Sequence, residues 1–349
     1  MSAPDNRPQT SILIIYTGGT VGMAYNKRGE LVPMNFEQIR KRMPELRQLN
    51  MQVDVTNLGD PIDSSNVTAQ DWLRLAALIQ ENYARYDGFV VLHGTDTMAY
   101  SAAALSFLLE SLGKTVVFTG AQVPVGRIRT DARRNLVTAL EMAAARHPMA
   151  DTVRVPEVCL FFNDQLIRGN RAKKVESQQY NAFRSENYPS LAEAGIELVF
   201  KDEQIRRLPD TPLRVHQQLE ENVTILHLFP GLTERMVRAQ LEAPYLRGAV
   251  LLTYGSGNAP TAPWFLQALR DATDQGLLLL NVSQCEEGRV LQGRYETSAH
   301  FTDLGVIGGD DITVEAAITK LMFVLGLNEK PTRTRHLLTQ DLRGEITIM

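Results

Sequence analysis

Thr20 stands directly after two glycines, in Tyr16-Thr17-Gly18-Gly19-Thr20, and the apolar run Ile12-Leu13-Ile14-Ile15 leads into them. A threonine hydroxyl is almost fully protonated at neutral pH, so it attacks a carbonyl only with a base or a strong hydrogen bond beside it. A second strand-then-hydroxyl element, Gly88-Phe89-Val90-Val91-Leu92-His93, runs into Gly94-Thr95-Asp96-Thr97. The basic run Arg168-Gly169-Asn170-Arg171-Ala172-Lys173-Lys174 offers a lysine that can turn inward beside Asp96. Two further polar loops, Asp63-Ser64-Ser65-Asn66 and Tyr254-Gly255-Ser256-Gly257-Asn258-Ala259-Pro260, complete the candidates. In the first of these, small hydroxyls and backbone amides can hold a carboxylate. Each motif alone has a plainer reading. Thr20 suits a turn after a glycine pair, and Thr95 or Asp96 suits the N-cap of a helix over 98–112. Two hydroxyl-bearing loops at two strand ends are what make a site.

The elements that must hold these residues alternate. Ile12 to Ile15 read as a buried strand, and the glycines let the chain turn sharply after it. A capping box at Thr68-Ala69-Gln70-Asp71 opens a helix carrying Trp72, Leu75, Ala76, Ile79 and Tyr83. A strand over 89–93, a helix over 101–112 closed by Gly113, a strand over 116–118, a helix over 131–145 and a strand over 158–162 follow. The order predicts a parallel sheet flanked by helices, with ligand at the carboxyl ends of its strands. The charged, proline-marked stretch 201–221 interrupts the pattern. The alternation then resumes: strands over 223–228, 249–253 and 277–283, helices over 233–241, 264–274 and 313–325, and a short helix over 333–342. The reading is therefore α/β with two α/β domains: a larger N-terminal one over 1–200, a linker over 201–221, and a smaller C-terminal one over 222–349.

Composition narrows the function classes. With 349 residues, 44% hydrophobic, and a net charge of -4, the chain has the make-up of a globular protein. It lacks a basic footprint for nucleic acid and any apolar run long enough for a membrane span. Met1 to Thr10 is polar and contains two prolines, without the apolar core of a signal peptide, which points to the cytosol. Cys159 and Cys285 make no disulfide framework and read as buried thiols. The six histidines form no HxH or HxxxH pair, so no metal site is expected. Gly18-Gly19-Thr20-Val21-Gly22 fits neither phosphate-binding glycine motif, and no GxSxG elbow occurs.

Taken together, Tyr16-Thr17-Gly18-Gly19-Thr20, His93-Gly94-Thr95-Asp96-Thr97-Met98 and the order of the later loops resemble the bacterial-type L-asparaginase family, in its cytoplasmic type I branch. The likeness runs from Ser11 to about Gly344 and includes Asp63-Ser64-Ser65, Arg168-Gly169-Asn170-Arg171, Gly255 to Pro260 and Val306-Ile307-Gly308-Gly309. It implies hydrolysis of L-asparagine to L-aspartate and ammonia, without a cofactor. It makes Thr20 the nucleophile, with Thr95, Asp96 and Lys174 as a second polar triad. The substrate-binding set becomes Gly19, Asp63, Ser64, Ser65, Gly94, Thr95, Asp96, Ala121 and Asn258. Ser64 and Asp96 hold the α-carboxylate and α-ammonium, and Asn258 arrives from a partner subunit of a homodimer or dimer of dimers. Lys174 can serve as base only if desolvation outweighs the pull of Asp96, since an opposite charge favours the ionised form; otherwise it polarises Thr95 while charged.

The family's mobile-loop tyrosine has no direct match: Arg28-Gly29-Glu30-Leu31 occupies its place, and Tyr25 is the substitute on the same loop. Some type I enzymes bind a regulatory asparagine through a Thr, an Arg and a Cys. The matching residues here are Lys173, Leu252 and Cys285, so a hyperbolic response is expected. Two other roles fit the same residues. One is an ammonia-releasing subunit of a tRNA-dependent amidotransferase, which the early first strand speaks against. The other is a non-catalytic amino-acid-binding regulator, which the intact Thr20, Thr95, Asp96 and Lys174 speak against.

Overall fold

The structure, a computed structural model, describes residues 10–25, 28, 31–33, 41, 43–293 and 296–348. Its first strand, β1 (Ser11–Gly18), is buried along almost its whole length. Successive side chains of a strand point to opposite faces. Leu13 and Ile15 therefore enter one helix-covered layer with Leu75, Ile79 and Ala102, while Ile12, Ile14 and Tyr16 enter the other with Leu136 and Leu140. A strand covered on both faces needs an unbroken apolar run, and Ile12 to Ile15 supply it. Each such side chain, fully withdrawn from water, contributes about 1.5–3 kcal/mol.

After β1 come β2 (Gln52–Ile62), α1 (Ala69–Asn82), β3 (Gly88–Leu92), α2 (Met98–Leu108), β4 (Thr115–Thr119), α3 (Ala132–Ala144), β5 (Val158–Phe162) and β6 (Gln165–Arg168). Short strands β7 (Lys173–Lys174) and β8 (Phe183–Arg184) pair with each other, and β9 (Ala192–Ala194) and β10 (Leu198–Phe200) complete the main sheet. Its order is β10-β9-β6-β5-β4-β3-β1-β2. The five strands from β5 to β2 are parallel, whereas β6, β9 and β10 form an antiparallel edge. The parallel order 2-1-3-4-5 reverses direction at β1 and β3, which opens a crevice at their carboxyl ends.

A second, all-parallel sheet orders β11 (Val223–His227), β12 (Gly248–Thr253), β13 (Leu278–Ser283) and β14 (Ile307–Gly308). Helices α4 (Glu234–Leu241), α5 (Pro263–Asp274), α6 (Val314–Gly326) and α7 (Pro331–Thr339) accompany it. One apolar core runs through α2 and α6 into both sheets, with Phe107 and Phe323 stacked at 5.8 Å between ring centroids. Both helices are apolar nearly all round because each is covered on every side.

Several element readings change. The helix expected to reach Leu112 stops at Leu108, because Leu109–Glu110 leaves it to pair with Arg214–Val215. β2 is absent from the sequence reading; as the sheet's edge strand it is half-exposed, with no buried residue, and lacks the apolar run of its neighbours. The final helix begins at Pro331, a favoured first helical residue, and ends at Thr339. Cys285 is exposed on the loop after β13, so only Cys159 is a buried thiol. No helix among the described residues is long and apolar enough to cross a membrane.

Candidate active site

The crevice is built around glycines that admit no side chain. Gly18 has φ +134, and a Cβ there would lie 2.2 Å from the Ile62 carbonyl oxygen. Gly19 has φ +85, and its Cβ would lie 2.5 Å from the Gly94 nitrogen. The absence of a Cβ at these two positions lets β1 shift its register on β2, so that Gly18 pairs with Ile62, and rest its turn on the end of β3. The short helical turn Thr20–Gly22 follows. Gly22 N donates to Gly19 O at 3.1 Å, and the Tyr16 hydroxyl donates to Gly22 O at 3.3 Å. Burial pushes the Tyr16 phenol up to about 12, so it remains a donor at any physiological pH. The backbone that carries Thr20 is thus stapled from inside the sheet. The Thr20 hydroxyl and the Tyr25 side chain, expected at this site, lie outside the described part of the structure, as does Glu30. The backbone of Tyr25 pairs with that of Leu31 in a short hairpin.

At the end of β3, Gly94 is pressed on Ser64: a Cβ there would lie 2.5 Å from Ser64 Oγ. Ser64 is buried, and its carbonyl accepts from Thr97 Oγ1 at 2.7 Å. Asp63 accepts from the Ser65 N–H at 3.0 Å and the Ser65 hydroxyl at 2.9 Å, and those bonds hold its carboxyl below the usual range. The loop 63–65 and the loop 94–97 therefore form one wall.

Lys174, brought in on β7, donates from Nζ to Thr95 Oγ1 at 2.8 Å and to Asp96 Oδ1 at 2.6 Å. Thr95 in turn donates to Gln122 Oε1 at 3.2 Å. The hydroxyl of Thr95 thus accepts from lysine and spends its own proton on Gln122. Thr95 is buried, the Lys174 side chain is 18% exposed, and the Asp96 side chain is 65% exposed, so the carboxylate faces open solvent. Neither Thr95 nor Asp96 caps α2: its N-cap is Thr97, and that residue makes no side-chain cap bond. The rival helix-cap reading of this motif fails for that reason.

Three residues of the site drew no role from the sequence. Gln122 follows the buried Ala121 at the end of β4, and its amide also donates to Gln179 O at 3.1 Å. Asp131, read only as a helix start, accepts the backbone N–H groups of Gln122 and Val123 at 2.9 and 3.0 Å and so fixes that loop. The third is His93. It is buried, which pulls its pKa down, and its Nδ1 lies 2.7 Å from Gly94 O. Its Nε2 lies 2.9 Å from Ser101 Oγ, which also accepts from Trp72 Nε1 at 2.9 Å. Since a carbonyl only accepts, Nδ1 carries the proton and Nε2 accepts from the serine. A neutral imidazole thus anchors the carbonyl next to Thr95.

Asn258 sits on the loop after β12, where its backbone exchanges hydrogen bonds with Tyr254 and the neighbouring Gly257 packs on Val290. Of the positions matched to a regulatory site, Leu252 lies in the core, Lys173 is paired with Glu286 at 3.2 Å, and Cys285 is exposed. No group of three or more His, Cys, Asp or Glu arranged to hold a metal occurs among the described residues.

The model of the asparaginase N-terminal domain matches residues 11–206, and that of the glutaminase/asparaginase C-terminal domain matches residues 222–338. The chain is 41% identical over 346 residues to L-asparaginase 1 of Escherichia coli strain K12, covering 97% of this chain and 98% of that one. It is 41% identical over 365 residues to the 60 kDa lysophospholipase of Homo sapiens, covering 97% of this chain and 62% of that protein. Among solved structures it resembles L-asparaginase I from Vibrio cholerae O1 biovar eltor, with a TM-score of 0.89, 37% identity, and coverage of 98% and 100%.

Proposed function

The chain belongs to the asparaginase family, and from that premise we propose that it hydrolyses L-asparagine to L-aspartate and ammonia through a threonyl acyl-enzyme. The observation that carries the reading is the Lys174–Thr95–Asp96 contact beside the Gly18–Gly19 turn, at the crevice where the strand order reverses. In this reading the Thr20 hydroxyl adds to the side-chain amide carbon. The C–N bond breaks, nitrogen leaves as ammonia with the hydroxyl proton, and an aspartyl ester remains on Thr20. Water then adds to that ester and releases aspartate. Two moderate steps replace one difficult amide hydrolysis.

Backbone groups near Gly19, Thr95 and Ala121 surround the amide and supply donors to the oxyanion, each worth about 10²–10³ in rate. Ser64 and Asp96 take the α-carboxylate and α-ammonium. We assign Lys174 the electrostatic role, as an ammonium that polarises Thr95, because it donates to two oxygens at once while the Thr95 proton is directed at Gln122. Asn258 is assigned to the site of a neighbouring subunit, and Tyr25 to the loop over Thr20. The division into a domain over 1–200, a connection over 201–221 and a domain over 222–349, and a cytosolic setting, belong to the same reading.

The test is ammonia release from asparagine. Thr20→Ala should lose it by several orders of magnitude, the scale of removing a covalent nucleophile, while still binding aspartate. Near-normal turnover in that variant would overturn the assignment.

A further inference from the structure

The lysine of the site stands three residues beyond Arg171, and the run before it is tied to a distant part of the chain. Gly344 O accepts from Arg171 Nε at 2.7 Å and from Arg168 Nη1 at 3.3 Å. Arg343 O accepts from Asn170 Nδ2 at 3.1 Å. Arg171 also pairs with Asp311 at 3.0 Å and donates to Thr347 Oγ1 at 3.2 Å, and Thr347 N donates to Asp311 at 2.9 Å. All three polar side chains of Arg168-Gly169-Asn170-Arg171 thus reach residues 343–347, while Arg168 is also held by the buried Glu157 at 2.5 Å and by Gln204 O at 2.9 Å. Arg168, Asn170 and Arg171 are each buried.

The far segment is itself locked. Glu345 accepts from the backbone N–H groups of Leu342 and Arg343 at 3.0 and 2.7 Å and from Lys320 Nζ on α6 at 2.7 Å. Glu345 and Lys320 are both completely buried. Gly344 has φ +87, and a Cβ there would lie 2.4 Å from Arg168 Nη1, so the carbonyl can reach both arginines only from a glycine. Ala172 and Ile346 share the apolar core beneath these contacts. Lys174 has no comparable anchor of its own: β7 is two residues long and pairs only with β8.

We propose that residues 341–348 are a positioning strap that sets Lys174 against Thr95 and Asp96, acting through Arg168, Asn170 and Arg171. The proposal rests on the role given to Lys174 above. The segment touches none of the reacting groups; it sets the place of the residue that does. A site assembled in this way loses rate before it loses affinity, because Lys174 acts directly on Thr95 and meets the substrate's α-groups only through Asp96, whose exposed carboxylate keeps its own place on the 94–97 loop.

Gly344→Ala and Arg171→Lys test this, with kcat, KM and aspartate Kd measured per folded site. Each should lower kcat by about 10–100-fold, the cost of displacing a catalytic group by about an ångström, with KM and Kd within twofold. Leu269→Ala, in the separate core of the second sheet, is the control. It should lower Tm at least as much and leave kcat within twofold. Thr347→Val keeps the shape and removes one junction of the network, so it should lower kcat about threefold even if the stronger variants fail to fold, as expected for a smaller displacement. Unchanged kcat in Thr347→Val and in every folded strap variant would overturn the proposal, as would a KM rise that accounts for the loss. Lys174→Met separates this from the parent reading. If it is fully active, the role of Lys174 is wrong and the strap falls with it. If it is inactive while Gly344→Ala is fully active, only the strap is wrong.

Discussion

Two adjacent lysines with the same charge have different surroundings, and the difference predicts opposite behaviour. Lys174 reaches Thr95 and Asp96, while Lys173 faces Glu286 on the loop after β13. Both ion pairs have a partner more than half exposed, so each is worth only about 0–1 kcal/mol to stability. Lys174→Met should therefore leave Tm nearly unchanged by calorimetry while costing about 10²–10³ in kcat, the range for removing one group that stabilises developing charge. Lys173→Met should keep turnover within a few-fold. If the two effects came out reversed, the register of this segment would be wrong. The chemistry at this scale is decided by alternation: successive residues of β7 face opposite ways.

Helix α6 and the segment after α7 are joined by the buried Lys320–Glu345 pair, and its stability depends on pH. Burial alone would raise the Glu345 carboxyl, but the Lys320 ammonium and the two backbone N–H groups outweigh it and hold the carboxyl down to about 2, from an ordinary 4.5. Burial pulls Lys320 down, against the attraction of Glu345. A carboxyl lower in the folded state stabilises fully above its unfolded value and loses that contribution as pH falls toward the folded value. The window is thus pH 4.5 to 2, and the amount is roughly 3 kcal/mol. Unfolding followed by denaturant across that window should show the loss. Glu345→Gln alone should cost about 3–5 kcal/mol at neutral pH by stranding a buried ammonium. Lys320→Met with Glu345→Gln should recover most of it and flatten the acid limb. A double variant as unstable as the single one would show that the charges are not what holds the segment.

At the scale of the whole molecule, Asn258 belongs to the second sheet while Thr20 and Thr95 belong to the first. The shared-site reading makes a twofold dimer with two sites, each built from both chains. Thr20→Ala and Asn258→Ala homodimers should each be nearly inactive. Refolded together, their heterodimers would carry one doubly damaged site and one intact site, and ammonia release should rise well above either parent. If Asn258 served its own chain, every heterodimer site would carry one lesion. Verified heterodimers without recovered activity would then remove the shared site.

What the sequence determined by itself was local. The unbroken apolar run before Gly18 requires a strand buried on both faces, two glycines in tandem require a turn that few other residues can make, and the short motifs in order identify the family. The main elements of the N-terminal half are legible for the same reason: a period of two or of 3.6 is written in neighbouring residues. The missed elements, β2 and the antiparallel edge, are short or half-exposed and carry no such period. Tertiary structure alone decided what meets what. Lys174 and Thr95 lie 79 residues apart, and Arg171 and Gly344 lie 173 apart. No local pattern encodes those meetings, because they follow from strand order and from helices packed between two sheets. The roles of Gln122, His93 and Asp131 were hidden for that reason: each looks ordinary locally, and only the side-by-side placing of β3 and β4 puts the Gln122 amide on Thr95, the His93 imidazole on the Gly94 carbonyl beside it and the Asp131 carboxylate on the Gln122 backbone.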